Sequence, residues 1–328
     1  MPAIPDDAWC EFGGTGPTLV FTHANGFPPA TYRAVLEPLA ASFRVLTFAN
    51  RALWSADEPS TVSGWRQLAD DLRCGLAERE AAPVVAVGHS IGGMLCALAA
   101  ARSPGLFSRL VLLDPVVFSG AHAFVWGWVK RLGLGDRFPL VDRARRRRDS
   151  WPDRETVRAA WTGRPVFVSW DPRVVEDYLE AGIADAPDGS VTLRYPKRWE
   201  AQLFRVCPHD EWASLRRVEA PVLVVRGATS DTLLPGAAGR MAREMPDAQV
   251  VELAGTSHFL PMERPDEVAR LVVEFAGGSG SPTEAPAEAP AADETAAPAA
   301  VPTAAAVPAP VAVPAAAPGQ RTPKDRRP

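Results

Sequence analysis

Residues 83–97 read Pro83-Val84-Val85-Ala86-Val87-Gly88-His89-Ser90-Ile91-Gly92-Gly93-Met94-Leu95-Cys96-Ala97. A short apolar run ends at Gly88, the pattern Gly-x-Ser-x-Gly follows, and a helix-forming run continues from Met94 to Ala101. Glycine-flanked serines are common, so the pattern gains meaning only from its setting, a strand before it and a helix after it. The chain must turn sharply at Ser90. Gly88 and Gly92 remove the Cβ atoms that such a turn would bring into collision. The turn exposes Ser90 Oγ, and the helix start behind it offers free N–H groups to an anion. The stretch therefore predicts a strand, a turn carrying a nucleophilic serine, and a helix.

Working outward, short apolar runs alternate with helical patterns on both sides. Upstream, strands are expected at 9–12, 19–22 and 45–48, with helices at 32–41 and 65–80. Pro28 and Pro29 keep helix out of the loop His23-Ala24-Asn25-Gly26-Phe27 and let one begin near Ala30. Downstream, a strand at 110–113 ends at Asp114-Pro115. After a long break, strands return at 222–226 and 249–253, with helices at 235–244 and 265–276. Runs of four or five apolar residues alternating with helices indicate an α/β chain, a parallel sheet covered on both faces.

The break suggests an insertion over the C-terminal edge of the sheet, where open α/β folds bind ligands. The expected organisation is a first half of the core over 1–115 and a helical cap over 116–215. A second half of the core follows over 216–276, then a disordered Ala/Pro-rich tail over 277–328. The cap holds Trp126, Trp128, Trp151, Trp161, Trp170 and Trp199. These either line an apolar cleft or hold a small helical unit together; Trp126 and Trp128, with Phe27 from the core, are the substrate-binding candidates. Arg145-Arg146-Arg147-Arg148 reads as a solvated helix face. The sharper alternative is a docking site for an anionic substrate such as a coenzyme A ester.

With 47% hydrophobic and 23% charged residues and a net charge of −4, the chain shows no bias toward nucleic acid or a membrane surface. Residues 1–12 lack the basic flank and apolar core of a signal peptide, and no apolar run approaches the ~20 residues of a membrane span. Four cysteines without C-x-x-C spacing read as thiols of a reducing compartment, so a cytoplasmic location is expected. The histidines at 23, 89, 122, 209 and 258 form no H-x-x-x-H pair, so neither a metal nor a cofactor is expected.

Acyl transfer by a serine needs a base, a carboxylate that orients the base, and donors for the oxyanion. His258, in the loop Gly255-Thr256-Ser257-His258 after strand 249–253, is the expected base. Two aspartates follow strands in the order Ser…Asp…His. Asp231, in Gly227-Ala228-Thr229-Ser230-Asp231, has the longer loop, free to lean toward His258, and is the expected acid. Asp114, held against Pro115, is the alternative acid, or else an acceptor that organises the start of the insertion. His23 reads as a structural residue holding its loop, and Asp70 and Asp71 read as solvated helix-surface residues.

These motifs resemble the α/β-hydrolase superfamily over residues 8–276. The resemblance rests on Gly88-His89-Ser90-Ile91-Gly92, His23-Ala24-Asn25-Gly26, Gly227…Asp231…Pro235 and Gly255-Thr256-Ser257-His258. It implies an eight-stranded, mostly parallel sheet with helices on both faces and an inserted helical cap. It also implies an oxyanion hole from two backbone N–H groups, here those of Ile91 and Asn25. Where the family often has His-Gly, this chain has His23-Ala24, which leaves a role for the Asn25 side chain open. Relatives that cleave epoxides or carbon–halogen bonds resemble this fold but carry aspartate at the position of Ser90. The serine therefore points to acyl chemistry on a small-molecule substrate. Carboxylic esters come first, then thioesters, lactones and β-diketone-type carbon–carbon bonds. A ligand receptor without turnover is the non-enzymatic alternative. The oligomeric state is not set by the sequence.

Overall fold

Ten strands appear in chain order in the computed structural model, which describes residues 4–79 and 81–277. They are β1 (Trp9–Gly13), β2 (Thr18–Thr22), β3 (Arg44–Phe48), β4 (Val84–His89), β5 (Phe107–Leu113), β6 (Ser150–Trp151), β7 (Ile183–Asp185), β8 (Val191–Leu193), β9 (Val222–Gly227) and β10 (Ala248–Leu253). Seven of them form one sheet in the order β1-β3-β2-β4-β5-β9-β10. β1 runs antiparallel to β3, and the other pairings are parallel. These seven are the seven runs expected from the residues. The eighth strand, implied by the family resemblance alone, is absent from this sheet among the described residues.

The strands are apolar on both faces because helices cover both. On one face Val20, Ala86, Leu110, Leu112 and Val224 pack with the helices Trp65–Glu78, Ile91–Arg102 and Pro235–Glu244. On the other, Phe21, Val85, Val87, Val111 and Val225 pack with the helices Arg33–Leu39 and Pro265–Gly277. The alternation follows the two-residue period of a strand. β4 and β5 are centred in the sheet, so the turns that follow them are held by neighbours on both sides.

Residues between β5 and β9 form helices and a small antiparallel sheet in the order β6-β8-β7. The expected insertion is therefore not purely helical. Its aromatic residues join the packing of the main sheet: Trp161, Phe167, Trp170 and Tyr178 belong to the same buried cluster as Phe27 and Val87. Among the described residues no helix is long and apolar enough to cross a membrane. The expected tail lies outside the described residues, apart from Gly277.

Candidate active site

Ser90 follows β4 with φ 59° and ψ −120°, a left-handed turn that costs a side-chain-bearing residue energy. Its neighbours permit the turn. A Cβ on Gly92 would stand 2.3 Å from the Thr22 carbonyl oxygen. The Ser90 N–H donates to the Leu113 carbonyl at 2.9 Å, and the helix Ile91–Arg102 starts at the next residue. The Ile91 N–H therefore belongs to the first turn of that helix, where no intrahelical acceptor is available.

His258 Nε2 accepts from Ser90 Oγ at 3.0 Å, while His258 Nδ1 donates to Asp114 Oδ1 at 2.8 Å. The expectation that Asp231 orients His258 is corrected here. The physical reason is the strand order. β5 lies between β4 and β9, so the residue just after β5 stands beside the serine turn without any loop having to reach across. Asp114 occupies that position with φ 42°, fully buried. The loop after β9 contributes donors to Asp114. The Gly227 N–H donates to Asp114 Oδ2 at 2.9 Å, Ser230 Oγ donates to Oδ1 at 2.6 Å, and the Leu233 N–H reaches Oδ1 at 3.4 Å. Gly227 also lets the histidine loop pass close by, since a Cβ there would lie 2.1 Å from the Ser257 carbonyl oxygen. Asp231 lies on the cavity wall, where its Oδ1 accepts from Thr232 Oγ1 at 3.4 Å.

The other histidines hold loops. His23 Nδ1 donates to the Ala24 carbonyl at 2.8 Å and its Nε2 accepts the Asn50 N–H at 3.1 Å, in keeping with the structural reading. Burial lowers its pKa to about 4, so the ring is neutral. His89 was not assigned a role by the sequence. Its Nε2 donates to the His258 carbonyl at 2.9 Å and its Nδ1 accepts from Tyr32 Oη at 2.8 Å. Tyr32 Oη in turn accepts the Ala24 N–H at 3.1 Å. Burial, with His258 close by, holds the His89 pKa well below the usual histidine value. This chain of bonds ties the 23–26 loop to the backbone of His258. The Asn25 side chain is also engaged: Nδ2 donates to the Glu200 carbonyl at 2.9 Å, and Oδ1 accepts from Tyr195 Oη at 2.9 Å.

Above Ser90 lies a cavity lined mainly by apolar side chains. Phe27, Trp65 and Phe259 come from the core, and Val116, Phe138 and Phe204 from the segment between β5 and β9. Of the expected substrate contacts, Phe27 lines this cavity. Trp126 and Trp128 do not. Trp126 packs on Phe138 from behind, with its Nε1 donating to the Cys207 carbonyl at 3.0 Å. Trp128 faces outward and is 49% exposed. Cys207 also lines the cavity, and burial raises its thiol pKa, which keeps the sulfur protonated and a poor nucleophile.

Two further readings change. Arg147 is not on a solvated face: it is buried, donating to Glu200 Oε2 at 2.9 Å and to Tyr178 Oη at 2.5 Å. Asp71 is also buried, in a two-point ion pair with Arg51 at 2.5 and 2.7 Å. The helix pattern around Asp71 placed it near the surface, but the 51–53 turn after β3 folds over it.

A mostly parallel sheet with a strained serine turn in its centre, a histidine meeting that serine and an aspartate meeting the histidine, defines the class of protein. Residues 19–271 match the profile of the Alpha/beta hydrolase family, and the chain belongs to that family. The 2-(acetamidomethylene)succinate hydrolase of Mesorhizobium japonicum is 24% identical over 262 residues, covering 80% of this chain and 88% of that protein. The type I acyl-CoA thioesterase mpaH' of Penicillium brevicompactum is 28% identical over 204 residues, covering 56% of this chain and 42% of that protein. Among solved structures, E-2-(acetamidomethylene)succinate hydrolase superposes with a TM-score of 0.70 at 22% identity, covering 82% of this chain and 94% of that one.

Proposed function

We propose that this protein hydrolyses small, fairly apolar carboxylic esters through an acyl-enzyme on Ser90. The observation that carries the reading is the unbroken hydrogen-bond chain Ser90–His258–Asp114 opening on an apolar cavity. Ser90 Oγ attacks the acyl carbonyl as His258 Nε2 takes its proton, and Asp114 stabilises the imidazolium that forms. The oxyanion lies against the N–H groups of Ile91 and Asn25. The Ala24 N–H already donates to Tyr32, which favours Asn25 as the second donor. His258 returns the proton to the leaving group, and water, activated by the same histidine, releases the acid. The insertion acts as the cap that keeps the cavity dry, and the organisation into two core halves around it follows from that role. The reaction needs no cofactor.

Thioester hydrolysis on the same residues is the second reading, favoured by the acyl-CoA thioesterase among the relatives. A fluorophosphonate probe followed by an ester and thioester panel tests both. Wild-type protein should label and Ser90→Ala should not. Undiminished labelling of the alanine variant removes Ser90 from the mechanism, and turnover of thioesters in preference to esters of equal acyl length selects the second reading.

A further inference from the structure

We infer that the cavity above Ser90 selects acyl groups that carry no negative charge, and that the buried Arg147–Glu200 pair enforces this selection. The inference rests on the acyl-hydrolase reading and narrows its substrate class. Among the described residues that line the cavity, none is lysine or arginine, and the carboxylates there are those of Glu200 and Asp231. An acyl group ending in a carboxylate would have to leave water for a largely aromatic wall with no cation on it.

The arginine run does not supply the missing cation. Arg145 pairs with Asp136, Arg146 with Asp142, and Arg148 donates to the Ser150 carbonyl. Arg147 is the buried member of the run, and it is paired with Glu200, a residue of the cavity lining. Its guanidinium is shared between Glu200 Oε2 and Tyr178 Oη. The pair backs on the turn at Gly26, where an added Cβ would stand 3.2 Å from Glu200 Oε1 and 3.6 Å from Arg147 Nη1. That turn is one residue from Asn25. Glu200, a residue of the cavity lining, thus cancels the Arg147 guanidinium buried with it. A neutral acyl chain gives up little hydration on entering this mainly apolar cavity, whereas an anionic one meets the electrostatic cost of an unpaired buried charge.

The test compares two acyl groups of equal length. p-Nitrophenyl butyrate and p-nitrophenyl hydrogen succinate differ by a terminal methyl against a terminal carboxylate. Wild-type kcat/KM should favour the butyrate by roughly 100-fold or more. In Glu200→Gln, which releases Arg147 from its counter-ion, the ratio of succinate to butyrate turnover should rise about tenfold. Equal turnover of the two esters by the wild type, or preference for the succinate, overturns the inference. Binding gives a readout that needs no catalysis: hexanamide should raise the melting temperature and adipamate, the same amide with a terminal carboxylate, should not. If neither ester turns over and the fluorophosphonate does not label, the acyl-hydrolase reading has failed and the melting shifts decide the charge selection alone. A shift from adipamate as large as that from hexanamide, or no shift from hexanamide, then overturns it.

Discussion

The floor and the wall of the cavity are built on different principles. Beneath the floor, where Ser90 and His258 line the cavity, Asp114, His89 and His23 each follow or end a strand, are buried, and have hydrogen bonds on both sides of their polar groups. On the wall, Phe138, Phe204 and Glu200 come from the insertion, and Asp231 from the loop after β9. Asp114 and Asp231 make the contrast sharp. Both lie at the same sheet edge, yet the residue fixed at a strand end contacts His258, and the residue in the longer loop faces the cavity. Orienting a base requires a carboxylate that does not move, and a strand end between two neighbours supplies that better than a loop with reach. The floor should therefore set the rate of the chemistry, and the wall the choice of substrate.

The largest effect expected from this contrast is on the rate. Asp114→Asn should lower kcat on p-nitrophenyl esters by about 10⁴-fold, the cost of a wrongly held histidine tautomer. Asp231→Asn should lower it by less than about tenfold, since no proton of the proposed reaction passes through it. Steady-state kinetics on both variants, with circular dichroism to show that they fold, would reverse the assignment of floor and wall if the ranking came out inverted.

A smaller effect is expected on stability. His23 has a folded pKa of about 4 against an ordinary 6.5, so the folded chain binds fewer protons than the unfolded chain between those values. The stability it contributes is complete above about pH 6.5 and is lost as pH falls toward 4, at about 1.4 kcal/mol per unit. His89 acts in the same direction. From pH 6.5 to pH 5 the loss through His23 alone should be about 2 kcal/mol. Urea midpoints across that range should fall, and less steeply in His23→Asn. A flat profile would mean that the floor admits water or a proton.

The smallest effect is on selectivity. Phe204→Ala enlarges the cavity, so the preferred acyl chain should lengthen, each added methylene gaining roughly 0.8 kcal/mol, or fourfold in kcat/KM, while acetate turnover changes little. Trp128→Ala, on the outer face, should leave the optimum where it was. A shift caused by Trp128 and none by Phe204 would relocate the wall.

Much of the floor was legible in the sequence because it depends on local order. The strand, glycine, serine, glycine and helix succession at 84–102 needs no tertiary information, and His258 stands in the loop after the last strand. The seven apolar runs were also readable as strands, whereas the eighth strand, carried over from the resemblance alone, is absent from this sheet among the described residues. The bond to His258 comes from Asp114 rather than the expected Asp231, because both fit the spacing and which strand lies beside β4 is a matter of sheet order that spacing does not encode. Arg147 was misread for a related reason. A run of four arginines looks solvated, and only the placement of Glu200 and Tyr178, dozens of residues away, buries one of them. The insertion's tryptophans were ambiguous because packing and lining require the same side chains.

The bonds from Ala24 through Tyr32 and His89 to His258 carry a consequence for how the sequence can vary. Each link has a fixed direction: an amide donates to a phenol, the phenol to a ring nitrogen, and the ring's other N–H to a carbonyl. Phenylalanine at 32 would strand both the amide and the imidazole, and leucine at 89 would strand the phenol and the carbonyl. Positions 32 and 89, far apart in the chain, are thus one unit of inheritance, since the backbone supplies both ends of the chain of bonds and a change at one side chain is tolerated only with a matching change at the other.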